Sequence, residues 1–144
     1  HARAEGIPFT IHAGEAAGPE SIRQAVDYGT ARIGHGVNCI HDKNLMNIIA
    51  EKGITLELCP TSNLNTKIVN DIKDYPIDKI INNKIKVTIN TDNMTVSGTD
   101  EASEMKLICD TFGYDGNMRR IFVDNAIDAA FLSNEMKEKL RGNL

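Results

Sequence analysis

A short apolar strand followed by a helix, four times over, is the pattern that most limits what this chain can fold into. Phe9-Thr-Ile-His12, Ala31 to His35, Thr55 to Cys59 and Lys86 to Asn90 all carry apolar or β-branched residues at strand spacing, and each precedes a segment with helical apolar spacing. Helical crossovers make successive strands parallel, so the expected fold class is α/β with a parallel sheet. A closed TIM barrel of eight such units takes roughly 250 residues. The 144 residues here hold four units, which is half a barrel or a small open sheet.

The helices are marked by their ends. Residues 1–6 read as the last turn of a helix closed by Gly6, so the chain is expected to begin inside a structural unit. Gly18-Pro19 opens a helix with Ile22, Ala25 and Val26 on one face and Gly29 past its end. Asp42 can cap a second, with Leu45, Ile48 and Ile49 on its face and Gly53 after it. A polar loop after Asn63 leads to a short helix with Ile77, Ile80 and Ile81. Thr99 or Ser97 can cap a helix bearing Ala102, Met105, Ile108, Cys109 and Phe112, closed by Gly113, and two more helices follow near 116–131 and 134–141. Phe9 to Arg32 and Arg32 to Thr55 are each 23 positions. That equal period predicts His12 and His35 at matching heights on neighbouring strands.

Composition removes several classes of function. With 16 basic against 20 acidic residues, no Trp and 5% aromatics, the chain has neither a basic stripe for a phosphate backbone nor stacking platforms for bases, so nucleic acid is not an expected partner. No apolar run approaches the roughly 20 residues that span a bilayer, and the first residues lack a signal-peptide core. A cytoplasmic location without membrane contact is the expectation. Cys39, Cys59 and Cys109 show no C-x-x-C spacing and are expected to be reduced and mostly in the core.

Chemistry collects where strands end. His12-Ala-Gly-Glu15 puts an imidazole and a carboxylate around Gly14, which lets the backbone turn so that both can face one space. Gly34-His35-Gly36 and Thr91-Asp92-Asn93 occupy the corresponding places after later strands. Imidazole and carboxylate suit a metal or proton transfer. Singly, each has a plain structural reading: a core histidine, a carboxylate at a helix N-terminus, a turn aspartate. Cys59 is a poor nucleophile, because no cation is placed by sequence to lower its pKa.

Taken together and in this order, His-Ala-Gly-Glu, Gly-His-Gly, Cys59-Pro-Thr-Ser-Asn63 and Thr-Asp-Asn resemble the adenosine deaminase family of zinc-dependent purine deaminases. The resemblance runs from about residue 7 to the C-terminus and implies the C-terminal half of a TIM (β/α)8 barrel, a single unit over residues 1–144. It implies hydrolytic deamination of adenosine or 2′-deoxyadenosine to the inosine product and ammonia, with Zn2+ as cofactor and a purine nucleoside as the small-molecule partner. His12 and Asp92 would bind the zinc, Glu15 would protonate the purine ring nitrogen, and His35 would orient the attacking water and share in its deprotonation. Gly14 and Asn93 would meet the substrate, and Ser62 and Asn63 would hold the loop.

Two departures matter. Asn93 stands where the family more often has a second aspartate, which opens the alternative of adenine or another aminopurine as substrate. Gly34, acidic in adenine-specific relatives, leans toward the nucleoside. The family's H-x-H pair, the source of two further zinc ligands, is absent, as is the H-x-E with P-C-x-x-C of the cytidine-type zinc enzymes. The remaining alternative is a non-catalytic half-barrel that serves assembly. A half-barrel would expose the edges of its first and fourth strands and an apolar interior, and would join either the missing N-terminal half or another copy.

Overall fold

The computed structural model describes residues 1–143. Four strands lie parallel in the order β1-β2-β3-β4, namely β1 (Thr10–Ala13), β2 (Arg32–His35), β3 (Thr55–Leu58) and β4 (Val87–Ile89). The crossovers are α1 (Pro19–Tyr28), α2 (Lys43–Glu51), and the pair α3 (Pro60–Asn65) and α4 (Ile77–Asn82). After β4 come α5 (Met94–Ser97), α6 (Glu101–Phe112), α7 (Gly116–Ala129) and α8 (Asn134–Arg141).

Local chemistry explains most of these boundaries. Pro19 presets the first turn of α1, and Gly29 ends it in the left-handed region at φ 82°. Asp42 caps α2 by accepting the Leu45 N–H at 2.9 Å. The buried face of α2 is Leu45, Met46 and Ile49, with Ile48 only partly covered, so the expected stripe is rotated by part of a turn. The cap of α6 is Asp100, whose carboxylate accepts from Ser103 N–H at 2.7 Å, and not Thr99 or Ser97. Ser97 is instead the last residue of α5, which Gly98 closes. At six and four residues, α3 and α5 are too short to show a helical period, so they read as loop in the sequence.

The strand register corrects the equal-period expectation. Arg32 pairs with Thr55 as predicted, but its partner on β1 is Thr10 and not Phe9, which sets His12 beside Gly34 and Ala13 beside His35. Repeat length does not fix register. The faces do: Ile11 and Ala13 must join Ile33 on the helix-covered side, and a one-residue slip would turn them away from it.

The sheet has one apolar and one polar face. Ile11, Ala13, Ile33, Leu56, Leu58, Val87 and Ile89 pack with the helices. The alternate positions, Thr10, His12, Arg32, Gly34, Thr55, Glu57 and Thr88, turn to the side that a closed barrel would enclose. There Thr10 Oγ1 donates to Glu57 Oε2 at 2.7 Å, and Arg32 Nε lies 3.1 Å from Glu57 Oε1. The expectation of a bare apolar interior is therefore wrong, because period-2 alternation had already committed the apolar residues to the helices. β1 and β4 are each paired on one side only. No helix among the described residues is long and apolar enough to cross a membrane.

Candidate active site

The C-terminal ends of the four strands bring together most of the residues singled out by sequence. His35 is the centre of the group, with its side chain 1% exposed. Its φ of 63° lies in the left-handed region, a conformation that costs a non-glycine residue on the order of 1 kcal/mol and gathers at functional sites. This twist matters because His35, paired with Ala13, would otherwise point with Ala13 toward the helices. Instead its ring meets that of His12 edge to face, with centroids 5.0 Å apart. Asp92, with φ 57°, is turned in the same way.

Two carboxylates face the same nitrogen of the buried imidazole. His35 Nε2 lies 3.5 Å from Glu15 Oε2 and 4.0 Å from Asp92 Oδ2. Burial lowers the His35 pKa, Glu15 and Asp92 raise it, and His12 lowers it again; the net direction is down, which favours the neutral ring. Among the described residues, no Lys or Arg pairs with either Glu15 or Asp92. Glu15 lies four residues ahead of α1, outside its first turn, so the plain helix-dipole reading does not apply.

The supporting contacts come largely from residues that the sequence presented as loop. Ser62 Oγ donates to Asp92 Oδ2 at 2.8 Å. Asn63 Nδ2 lies 3.2 Å from His35 Nδ1, and Tyr75 O–H donates to Asn63 Oδ1 at 2.9 Å. Ser62 and Asn63 thus hold site side chains and not only a loop. Tyr75 went unnoticed, since a lone tyrosine before Pro76 carries no local signal. Glu104 is fully buried on α6, where a lone helical glutamate carries no local signal; its Oε2 accepts the Thr61 N–H at 3.0 Å and so ties α6 to the start of α3.

Glycines shape the rest of the site. A Cβ on Gly34 would come within 2.5 Å of the His12 ring, so this glycine makes room for that imidazole. Gly14, at φ 68°, donates its N–H to Ser21 Oγ at 2.9 Å, and a Cβ added there would meet Ile22 at 2.2 Å. Asn38 Nδ2 donates to the backbone oxygen of Glu15 at 2.8 Å and fixes the turn from the other side. Asn93 caps α5, its Oδ1 accepting Val96 N–H at 3.0 Å. Cys59 is buried among Asp92, Glu104, Glu57 and Glu15, and burial followed by those charges pushes its thiol up to about 12, in keeping with a non-nucleophilic role. Cys39 and Cys109 are likewise free and buried.

The donor types fit zinc, but as part of a ligand set. His12 and Asp92 offer imidazole and carboxylate without a competing cation, yet among the described residues no three His, Cys, Asp or Glu side chains converge as a metal-binding group.

Polar groups at the C-terminal ends of parallel strands, with helices on one face and an open polar face on the other, make a four-unit section of a (β/α)8 barrel. Solved structures of that architecture superpose closely. An adenine deaminase from Arthrobacter aurescens, 24% identical, matches with a TM-score of 0.91 over 96% of this chain and 43% of its own. A zinc-bound amidohydrolase from Burkholderia ambifaria, 26% identical, matches with a TM-score of 0.86 over 97% of this chain and 40% of its own. The family model described as adenosine deaminase matches residues 1–144, and the chain belongs to that family. An adenosine deaminase from Haemophilus ducreyi is 45% identical over 143 residues, which are 99% of this chain and 42% of that relative. The chain therefore spans less than half the length of the relative it matches.

Proposed function

We propose that this chain is the C-terminal half of a zinc-dependent deaminase that converts adenosine or 2′-deoxyadenosine to the inosine product and ammonia. The observation that carries the reading is the pair of carboxylates, Glu15 and Asp92, both facing Nε2 of a buried imidazole, with no Lys or Arg paired to them among the described residues. Acids left unpaired beside a buried imidazole are placed for a cation or a proton. Zinc, held by His12 and Asp92 with further ligands from outside this chain, would supply a water whose pKa is lowered to about 7.

This chain's own residues then have separate tasks. Glu15 carries the proton delivered to the purine ring nitrogen, and the Asn38 bond to its backbone oxygen keeps its turn in place. His35 orients the attacking oxygen from a rigid, buried position. Ser62 holds Asp92 Oδ2, so that the other oxygen of this carboxylate would be free to bind the metal. Gly14, where a Cβ would strike Ile22, would meet the purine through its backbone. Asn93 uses its Oδ1 as a helix cap, which leaves the Nδ2 amide as the group to donate to a ring nitrogen. The open edges of β1 and β4 and the polar inner face are the surfaces on which the remaining half-barrel, or failing that another copy, would dock.

The adenine reading has less support. The space above Gly34 is taken by the His12 ring, and there is no acidic side chain at that position. The deciding experiment gives the longer protein adenosine and adenine at equal concentration and follows the absorbance change on deamination. Preference for adenosine supports the nucleoside reading, and turnover of adenine alone would replace it.

A further inference from the structure

The mechanism leaves one buried chain of hydrogen bonds unused, and it decides which nitrogen of His35 carries the proton. Tyr75 is 2% exposed and Asn63 is fully buried, so each polar group in this chain must find its partner within the protein. As they stand, Tyr75 O–H donates to Asn63 Oδ1 at 2.9 Å, and Asn63 Nδ2 donates across 3.2 Å to His35 Nδ1. His35 Nδ1 is then an acceptor, and the proton of the neutral ring sits on Nε2.

The opposite arrangement can be weighed against this one. Flipping the Asn63 amide would let His35 Nδ1–H donate to Oδ1 and would turn Nδ2 toward the tyrosine oxygen. The hydroxyl proton of Tyr75 would then lose its acceptor inside the protein. A buried donor left without an acceptor is costly enough to hold one tautomer in large excess.

We propose that Tyr75 and Asn63 are positioning residues that lock neutral His35 as the Nε2–H tautomer, so that the ring presents a hydrogen-bond donor to the site. The Nε2 atom is the one that faces Glu15 Oε2 at 3.5 Å and Asp92 Oδ2 at 4.0 Å. On the deaminase reading proposed above, neutral His35 orients the attacking oxygen by donating to it or to a carboxylate, and cannot take a proton from water at Nε2. That revises the share in deprotonation implied by the family resemblance.

The test is a long-range 1H–15N correlation spectrum of the 15N-histidine-labelled chain at about pH 8, above the ordinary histidine range of about 6.5. The His35 signal is identified by its loss in His35→Gln. A pyridine-like Nδ1 with a pyrrole-like Nε2 is expected; a pyrrole-like Nδ1, or a doubly protonated ring, overturns the proposal. Tyr75→Phe removes the hydroxyl that decides the amide orientation and should give a mixture of tautomers, whereas an unchanged single Nε2–H form would show that Tyr75 has no part in the lock. Asn63→Asp, where it folds, should invert the tautomer by offering Nδ1 an acceptor. The spectrum needs neither metal nor substrate, so failure of the deaminase reading and failure of this one are separable.

Discussion

Charge is used in opposite ways at the two ends of the sheet. Below the strand ends, Glu57 and Asp128 each have a basic partner. Glu57 lies 3.1 Å from Arg32, whose guanidinium stacks 3.8 Å over the Phe131 ring, and Asp128 pairs with Lys86 at 3.1 Å and with Arg141. Lys86 and Arg141 hold the Asp128 carboxyl below the usual carboxylate range, and its net charge is accounted for by those neighbours. At the strand ends, Glu15 and Asp92 have only a buried histidine that favours its neutral form. The lower cluster is neutralised from within and ties α7 and α8 to the barrel floor. The upper one is left without a Lys or Arg partner among the described residues, and two non-glycine residues there, His35 and Asp92, hold left-handed backbone. Neutralised charge serves the fold, and the unpaired acids mark the place where chemistry is expected.

Mutations can break this division in order of their expected effect. Glu15→Gln in the longer protein should reduce turnover by about 10²–10⁴-fold, the usual worth of a general acid, while its zinc content by elemental analysis stays the same. A loss of only a few-fold would remove Glu15 from that role. Next, Asp92→Ala should lower both zinc content and activity, whereas Asn93→Ala should raise KM and keep the zinc; equal metal loss in the two variants would mean that the pair is misassigned. At the other end, Arg32→Ala leaves Glu57 without its cation and removes the stack on Phe131. It should destabilise the fold by about 1–3 kcal/mol in urea titration with kcat of the folded protein unchanged, and a large fall in kcat would erase the distinction between the two ends. Smallest is Lys106→Ala, since both it and its partner Asp110 are exposed. A change within about 0.5 kcal/mol is expected, and a larger one would show that exposed pairs on α6 matter to the fold.

The sequence revealed the elements better than it revealed their support. Pro19, Gly29, Asp42 and Gly113 are strong local signals, and the helices they bound form where expected. His12, Glu15, His35 and Asp92 stood out because each follows a strand-like run, and three of them do come together around His35. What stayed hidden depends on long-range contact. The register between β1 and β2 is decided by which side chains share the helix-covered face, and no repeat length contains that information. The inward, polar face of the strands could have been foreseen from the alternation of Thr10, Arg32 and Glu57 with Ile11, Ile33 and Leu56. Tyr75 and Glu104 act on the site from other elements, across loop and helix, and only the folded chain brings them to Asn63 and Thr61.

The central claim is that the unpaired acids at the strand ends are one part of a zinc deaminase site that another half-barrel completes. The most direct measurement mixes this chain with the separately prepared N-terminal half at micromolar concentration, then follows adenosine deamination by absorbance and bound zinc by elemental analysis. The account predicts little zinc and no turnover for either piece alone, with both appearing on mixing. Stoichiometric zinc and full activity from the 144-residue chain by itself would contradict it.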